Sequence, residues 1–562
     1  MAGSCTWELP DGTGECGASD LADGENRCVI HHHQRETLLG EAAQRGRVDL
    51  TGMQGIDEPA INDLRSLVTG DLQRKLQLVG PGEAAGSFEL DCSGATFIDV
   101  VSLAGMTIEH RILCDGTRFE KAVDLSGCTF AAPVSFVNDT SFRGGLTADA
   151  ARFKAAAGFS RAVFAGGDFS RAVFETFVDF DGTTWVTRET HALAHFVPVA
   201  FFFRTAFIGG ASFDGADLGA APNFDGAQFD ESVSFAASID GLRLRHVSMP
   251  AQTVFGSSSA GYGHVRLERC IWARPSEMRL DGASAGLTAC VVTSPLTITG
   301  PAHAKAATSA DLYSSGRLTD LVDCTLMAPV TIAGARTGGV NTSARMEGVA
   351  LDGSTGLDLL RFPYGATWDR TGVCNGRRRV LHNDPVLLET GRRPRGIDDL
   401  ARAGHPAALE SIYRQLRAGL EASKAAPAAA DFYYGEMEAR RRAAPLWPDR
   451  LLLEVYRIFG GYSVRAWRPL TTYAALVVLT ALAFTLRTRW FLATPGTMID
   501  GFDVDRSFLD SLAVVARSSV SLFAAPAAGL SAIGALALVV ERFVAVGLLA
   551  LGIVALSSRV RR

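Results

Sequence analysis

The chain has 562 residues, 47% of them apolar and 20% charged, with 58 Gly against 21 Pro and a net charge of −6. The length suits roughly two to four domains. So modest a charge excludes an electrostatic case for nucleic acid, and no nucleic-acid partner is expected. No P-loop, dinucleotide-binding glycine motif, G-x-S-x-G elbow, H-E-x-x-H or kinase signature occurs, so no catalytic residue is named and the chain does not read as an enzyme.

Residues 1–35 hold Cys5, Cys16, Cys28 and His31, with the cysteines 11 and 12 apart and a terminal C-x-x-H. Three thiolates and one imidazole complete a tetrahedral zinc shell, and a loop this rich in Gly and Asp needs such help to fold. Zinc held by four ligands with no open position is structural. The spacings exceed those of common fingers, so the other reading is unpaired cysteines in a flexible tail. His32 and His33 read as solvent-exposed neighbours of the set. No basic-then-apolar run follows Met1, so no secretory signal is expected. The cysteines then belong in a reducing cytosol, where structural disulfides are rare.

Residues 36–84 read as a helical or linker cap. From 85 to 355 the chain is a repeat region. Large apolar residues recur every five or six positions, as in Phe153, Phe159, Phe164, Phe169, Phe174 and Phe180. That spacing fits neither a helix nor a half-buried strand. An Ala often stands two places earlier, as in Ala162/Phe164, Ala172/Phe174 and Ala227/Phe229. One small and one large inward residue per unit fill a narrow tube, and stacked coils bury a core that no single unit could bury. Gly144, Gly166, Gly209, Gly215 and Gly226 suit the corners.

The stretches "SRAVFAGGDFSRAVF", "ASFDGADLG" and "AQFDESVSF" resemble the pentapeptide-repeat family. The resemblance covers residues 86–247 and implies a mainly β fold, a right-handed quadrilateral β-helix with four units per coil. Many six-residue spacings depart from the family pattern, and the period fades after Met249.

A second pattern crosses that fade. "CTFAAPVSF" (Cys128–Phe136), "CIWARPSEM" (Cys270–Met278), "CVVTSPLTI" (Cys290–Ile298) and "CTLMAPVTI" (Cys324–Ile332) share Cys, a large apolar residue two places on, then Pro. Members lie too far apart for a metal site and have no CxxC pairing. They read as a Cys ladder inside one solenoid that continues to about residue 350, with Pro at corners that need no ladder donor.

Residues 356–468 read as a helical neck. Pro406 to Lys424 sets Leu409, Ile412, Tyr413, Leu416 and Leu420 on one helical face. Ala439 to Leu470 carries seven Arg against Asp449 and Glu454, which fits a membrane surface. The stretch "IYRQLRAGLEASKAAPAAADFYYGEMEARRR" resembles a neck of membrane-bound pentapeptide-repeat proteins, where it leads to a channel-like module.

Residues 469–562 read as a transmembrane hairpin. Leu470–Leu486 is 17 uncharged residues, and Leu536–Ser558 is a second span. Ser507–Leu530 between them reads as a short re-entrant segment. Arg465 and Arg468 before the first span, with Arg559, Arg561 and Arg562 after the second, predict both termini in the cytosol and a place in the cytoplasmic membrane. The layout resembles the two-helix pore module of potassium-type channels, but "SLFAAPAAGLSAIG" holds no T-x-G-Y/F-G filter. Glu541 and Arg542 inside the second span are pore or intramembrane candidates, with mutual neutralisation inside an oligomer as the alternative. Expected partners are the lipid membrane, further copies of the chain and an unidentified protein. The two functions in view are a membrane-anchored scaffold and a divergent channel-like oligomer. A DNA-mimic role, implied by the family resemblance for some soluble relatives, conflicts with Arg143, Arg152, Arg161 and Arg171 interleaved among the acids.

Overall fold

The computed structural model describes residues 5–8, 15–17, 28–72, 87–186, 200–218, 222–236, 242–256, 263–281, 283–300 and 318–332. It also describes short pieces between 336 and 384, then 406–463, 467–486, 488–493, 499, 504, 507–521 and 529–560. Two compact units result, Met1–Asp369 and Arg370–Arg562.

The first unit is a parallel β-solenoid followed along its length by one 13-stranded sheet, from Arg47–Asp49 to Leu360–Arg361. Its first strand lies inside the segment read as a linker. Through about Phe235 three further ladders of two-residue strands accompany it, two of five strands and one of six. Every strand pair within these four ladders is parallel, for example Phe142 beside Phe119 and Phe164.

Side chains explain the stacking. Successive strands in a ladder sit about 4.8 Å apart, a spacing at which rings stack face to face. Phe130, Phe153 and Phe174 form one column with centroids 4.8 and 4.7 Å apart. Phe136, Phe159 and Phe180 form another, at 5.4 and 4.9 Å. Rings of neighbouring columns meet edge to face, as at Phe153 and Phe159, the other favoured aromatic arrangement.

In many units the residue two places before the large one is small and buried. Ala151, Ala162 and Ala172 occupy this position, and so do Thr140, Thr205 and Cys128. The polar members donate to a carbonyl one coil earlier: Thr140 Oγ1 to Cys114 O at 2.6 Å, Thr205 Oγ1 to Phe169 O at 2.7 Å, and Cys128 Sγ to Leu103 O at 2.7 Å. The residue before the small one turns the corner with positive φ. Gly226 takes φ +74 there without strain, whereas Ala150 takes φ +57. Gly144 serves a different need: a Cβ on it would stand 2.1 Å from the carbonyl carbon of Lys121.

Beyond Phe235 the solenoid changes character. The long sheet continues, one further ladder runs from Arg243–Arg245 to Leu318–Val322, and another holds Ile271–Trp272, Val291–Val292 and Thr325–Leu326. Strands lengthen to as many as six residues, and aliphatic side chains alternate inward, as in Ser276–Asp281. The five-residue period fades because two-residue strands give way to longer ones, not because the coil ends. All four patterned cysteines directly precede strands of one face, Thr129–Phe130 and these last three, which isolated bridges at Ser248 connect. Cys128, Cys270, Cys290 and Cys324 are buried. Pro133, Pro295 and Pro329 follow at the corner and lend carbonyls to Ile112, Ser276 and Leu296.

Helices α1 (Arg35–Gln44) and α2 (Glu58–Val68) lie at the N-terminal end. Asp57 caps α2, accepting from the Ala60 amide at 3.1 Å. Ile61, Leu64 and Val68 of α2 close the first coils over an apolar cavity of about 60 Å³, shared with Leu90, Phe97 and Phe119.

In the second unit, α3 (Pro406–Ala422) and α4 (Ala426–Ala443) pack together. Leu409, Ile412, Tyr413, Leu416 and Leu420 are buried, the face expected from their spacing. Further on lie α5 (Trp447–Val455), α6 (Trp467–Leu486), α7 (Phe508–Val520) and α8 (Ala532–Val560). Helices α6 and α8 are long and apolar enough to cross a membrane. Helix α7 has 13 residues, about 20 Å at helical rise and too short to span.

Candidate metal centre and intramembrane cluster

The chain brings Cys5, Cys16, Cys28 and His31 together, with one ligand atom from each lying within 4.8 Å of all the others. Backbone bonds from Cys16 N to Trp7 O (2.9 Å) and from Gly17 N to Cys5 O (3.1 Å) pair the first two cysteine segments. Cys28 precedes a short turn, Val29–His31, whose His31 amide donates to Cys28 O. This turn aims Nδ1 of His31 at the sulfurs, 3.3 Å from Cys28 Sγ and 3.6 Å from Cys5 Sγ. Trp7 stacks on the imidazole at 4.0 Å and fixes its plane.

These dimensions suit a metal. Tetrahedral zinc with Zn–S near 2.3 Å and Zn–N near 2.05 Å sets sulfur and nitrogen about 3.6 Å apart. The three sulfurs are buried. Contact with the Cys16 thiol, followed by burial, holds the Cys28 thiol far above its ordinary range. Thiols so crowded resist ionising together, whereas a divalent cation at their centre reverses that preference. The Gln54 amide donates to Cys16 Sγ at 3.4 Å. Gln54 Nε2 also donates to Gly94 O at 3.2 Å, so one residue ties the cluster to the first coil.

The neighbouring histidines differ from each other. His33 is exposed, as expected, but His32 is buried at 8% exposure and its Nδ1 accepts the Gln34 amide at 3.0 Å. Its burial follows from the turn into α1, which places alternate residues inside and outside. No sequence period marks so short a turn.

Glu541 and Arg542 are both buried in α8, at 3% and 7% exposure. Arg542 Nε donates to Ser518 Oγ of α7 at 2.8 Å. Among the described residues neither Glu541 carboxylate oxygen has a hydrogen-bond partner. Tyr473 and Ser519 share a bond at 2.8 Å, and Thr485 donates to Ser511 at 3.0 Å. Polar groups thus line the contacts of α7 with α6 and α8, beside an apolar cluster that includes Phe484 and Val515.

Sequence reasoning missed a second polar cluster, in the neck. Arg378, Asp384 and Tyr413 are all buried. Tyr413 donates to Asp384 at 2.7 Å and accepts the Leu381 amide at 3.1 Å, while Arg378 lies 3.5 Å from the same carboxylate. Glu436 meets Arg414 and Arg417 at 3.2 and 3.4 Å. Partners so far apart in sequence leave no local signal, although two acids amid the arginines of α4 hint at pairing.

On the solenoid, Arg143, Arg152, Arg161 and Arg171 pair with Glu120, Glu175, Asp139 and Asp149, each one coil away. Exposed pairs add little stability, but they break up any continuous acidic face. Comparison with protein-family models, curated proteins and solved structures finds no match to this chain.

Proposed function

We propose that the protein is a non-catalytic, membrane-anchored rod that binds or scaffolds a protein partner at the cytoplasmic membrane face. In this reading the four-ladder part of the solenoid is a right-handed quadrilateral pentapeptide-repeat helix. The Cys5, Cys16, Cys28 and His31 group is a structural zinc knuckle, in which zinc supplies a closed tetrahedral tether. The chain's own part is to hold the N-terminal segment on the first coil through Gln54 and Trp7. Helices α6 and α8 form the anchor, with both chain ends in the cytosol.

The observation that carries the reading is how little of α6 and α8 is covered. Only 22% and 33% of their most apolar windows are buried within the molecule, whereas the core helix of a soluble protein is mostly buried. Leu479, Leu536 and Ile553 each stand more than 60% exposed, an arrangement that lipid satisfies and water does not. Alkaline carbonate extraction of membranes from cells making the full chain tests this. Retention in the pellet is expected, and release to the supernatant contradicts it.

A second reading, a divergent channel-like oligomer, is favoured by the polar contacts among α6, α7 and α8 and by the buried Glu541. Bilayer recording of the purified chain separates the two. Reproducible conductance that Glu541→Gln or Arg542→Gln abolishes overturns the pure scaffold.

A further inference from the structure

Helix α5 stands apart from every other long helix of its unit, because it has no buried residue. Trp447, Leu451, Leu452, Val455, Ile458 and Phe459 are between 41% and 76% exposed. At 100° per residue these six fall within one arc of about 140° that continues through the widened turn Tyr456–Gly460. The opposite side is engaged. Leu453 and Tyr456 pack on Tyr434, Met437 and Tyr462. Glu454 lies 3.0 Å from Arg441, and Arg457 pairs with Glu454 and with Glu438. The helix is therefore held by one side, through Leu453, Tyr456, Glu454 and Arg457, and presents a second, wholly apolar side outward.

Its position names the occupant. The turn Tyr456–Gly460 touches both α6 and α8. A Cβ on Gly460 would lie 3.5 Å from Leu551 of α8, and one on the adjacent Gly552 would lie 3.2 Å from Leu470 of α6. The turn is thus level with the start of α6 and the later part of α8, where an apolar span meets its flanking charge. Arg468 donates to the Arg457 carbonyl at 3.1 Å, and Trp467 beside it is 58% exposed. Arg450 and Asp449 are exposed on α5 itself. An amphipathic helix with Trp and Leu outward and arginines around it is the form that settles into a headgroup layer.

We propose that α5 and the turn after it lie in the headgroup–acyl boundary of the bilayer crossed by α6 and α8, as a lateral foot beneath the neck. This inference rests on the membrane reading above. The apolar side meets acyl chains while Arg450 and Arg457 stay at headgroup level.

The test uses the full chain in vesicles of phosphatidylcholine with a minor fraction of phosphatidylglycerol. Spin labels are placed singly at Leu451→Cys, Val455→Cys, Asp449→Cys and Leu479→Cys, with unsubstituted protein treated alongside. Its nine described cysteines are all buried. Collisions with oxygen report lipid, and collisions with a water-soluble nickel chelate report water. Labels at 451 and 455 should favour oxygen severalfold, with the reverse at 449. Nickel access at 451 and 455, with a lipid signature kept at 479, overturns the foot alone. Shielding of 451 and 455 from both reagents shows protein on that side and also overturns it. Nickel access at 479 instead removes the membrane reading itself.

Discussion

Two regions of this chain use the same residue in opposite ways. At the N-terminus three cysteines and a histidine converge so that their ligand atoms lie within 4.8 Å of one another. Along the solenoid, Cys270, Cys290 and Cys324 take one coil each and donate to carbonyls of the coil before, at 3.5, 3.3 and 3.6 Å. The solenoid cysteines follow corner residues in a position that Ala and Thr also fill, so the coil uses their volume and a weak donor and not their affinity for metal. The N-terminal cysteines have no such frame; their short segments meet around one cluster of side chains whose dimensions suit a metal. Convergence, rather than the number of cysteines, thus separates a candidate metal centre from packing.

The sharpest way to break this contrast is chelation. Structural zinc contributes on the order of 10 kcal/mol in small finger domains. Prolonged treatment with a strong chelator should therefore abolish amide protection around Cys28–His31 while the solenoid amides stay protected. Equal loss in both regions would mean that the solenoid also depends on metal.

Phe159→Ala is the converse perturbation. Its ring is fully buried between Phe136 and Phe180, and truncation should lower stability by about 3–5 kcal/mol. Denaturant unfolding should register that loss with bound zinc unchanged.

Cys290→Ala removes one buried sulfur and one weak bond to Leu267 O, a loss of about 1 kcal/mol. Cys290→Ser, which keeps a donor, should recover part of it; a larger loss for Ala, accompanied by metal release, would refute a packing role.

Alkaline pH sharpens the same point. Burial pushes the Cys128 thiol up to about 11. Contact with the Cys270 thiol, then burial, pushes Cys290 to about 12. A thiol whose folded pKa exceeds its unfolded value stabilises fully below the unfolded pKa and loses that contribution as pH rises through the folded one. Solenoid stability should accordingly hold to about pH 9 and decline towards pH 11–12, read from urea midpoints. Alkylation of these cysteines at pH 8 should stay slow until the chain unfolds.

The smallest effect is at a corner. Ala150 has φ +57 in a position that Gly fills elsewhere, so Ala150→Gly should raise stability by a few tenths to about 1 kcal/mol. Destabilisation would show that Ala150 contributes packing beyond its corner geometry.

Much of the solenoid was legible because its rules are local. A Phe every five or six residues, a small residue two places before it and a Gly ahead of that are all visible in a single coil. The Cys pattern carried the reading past Met249, where strands lengthen and the short period disappears. What local pattern cannot carry was hidden. Gly144 resembles any corner glycine, although its need is the close approach of Lys121 from the coil before. The first strand, Arg47–Asp49, is too short to announce itself. The buried Arg378, Asp384 and Tyr413 come from three separate segments. The four candidate ligands were recognisable by type, but spacings of 11 and 12 say nothing of distance, and only the fold brings them together.

The most direct measurement is the zinc content of the purified full chain beside Cys16→Ala and the triple variant Cys270→Ala, Cys290→Ala, Cys324→Ala. One zinc per chain in the parent and the triple variant, and none in Cys16→Ala, is the predicted result. Zinc absent from the parent, or lost from the triple variant and kept by Cys16→Ala, would contradict the assignment of the two cysteine sets.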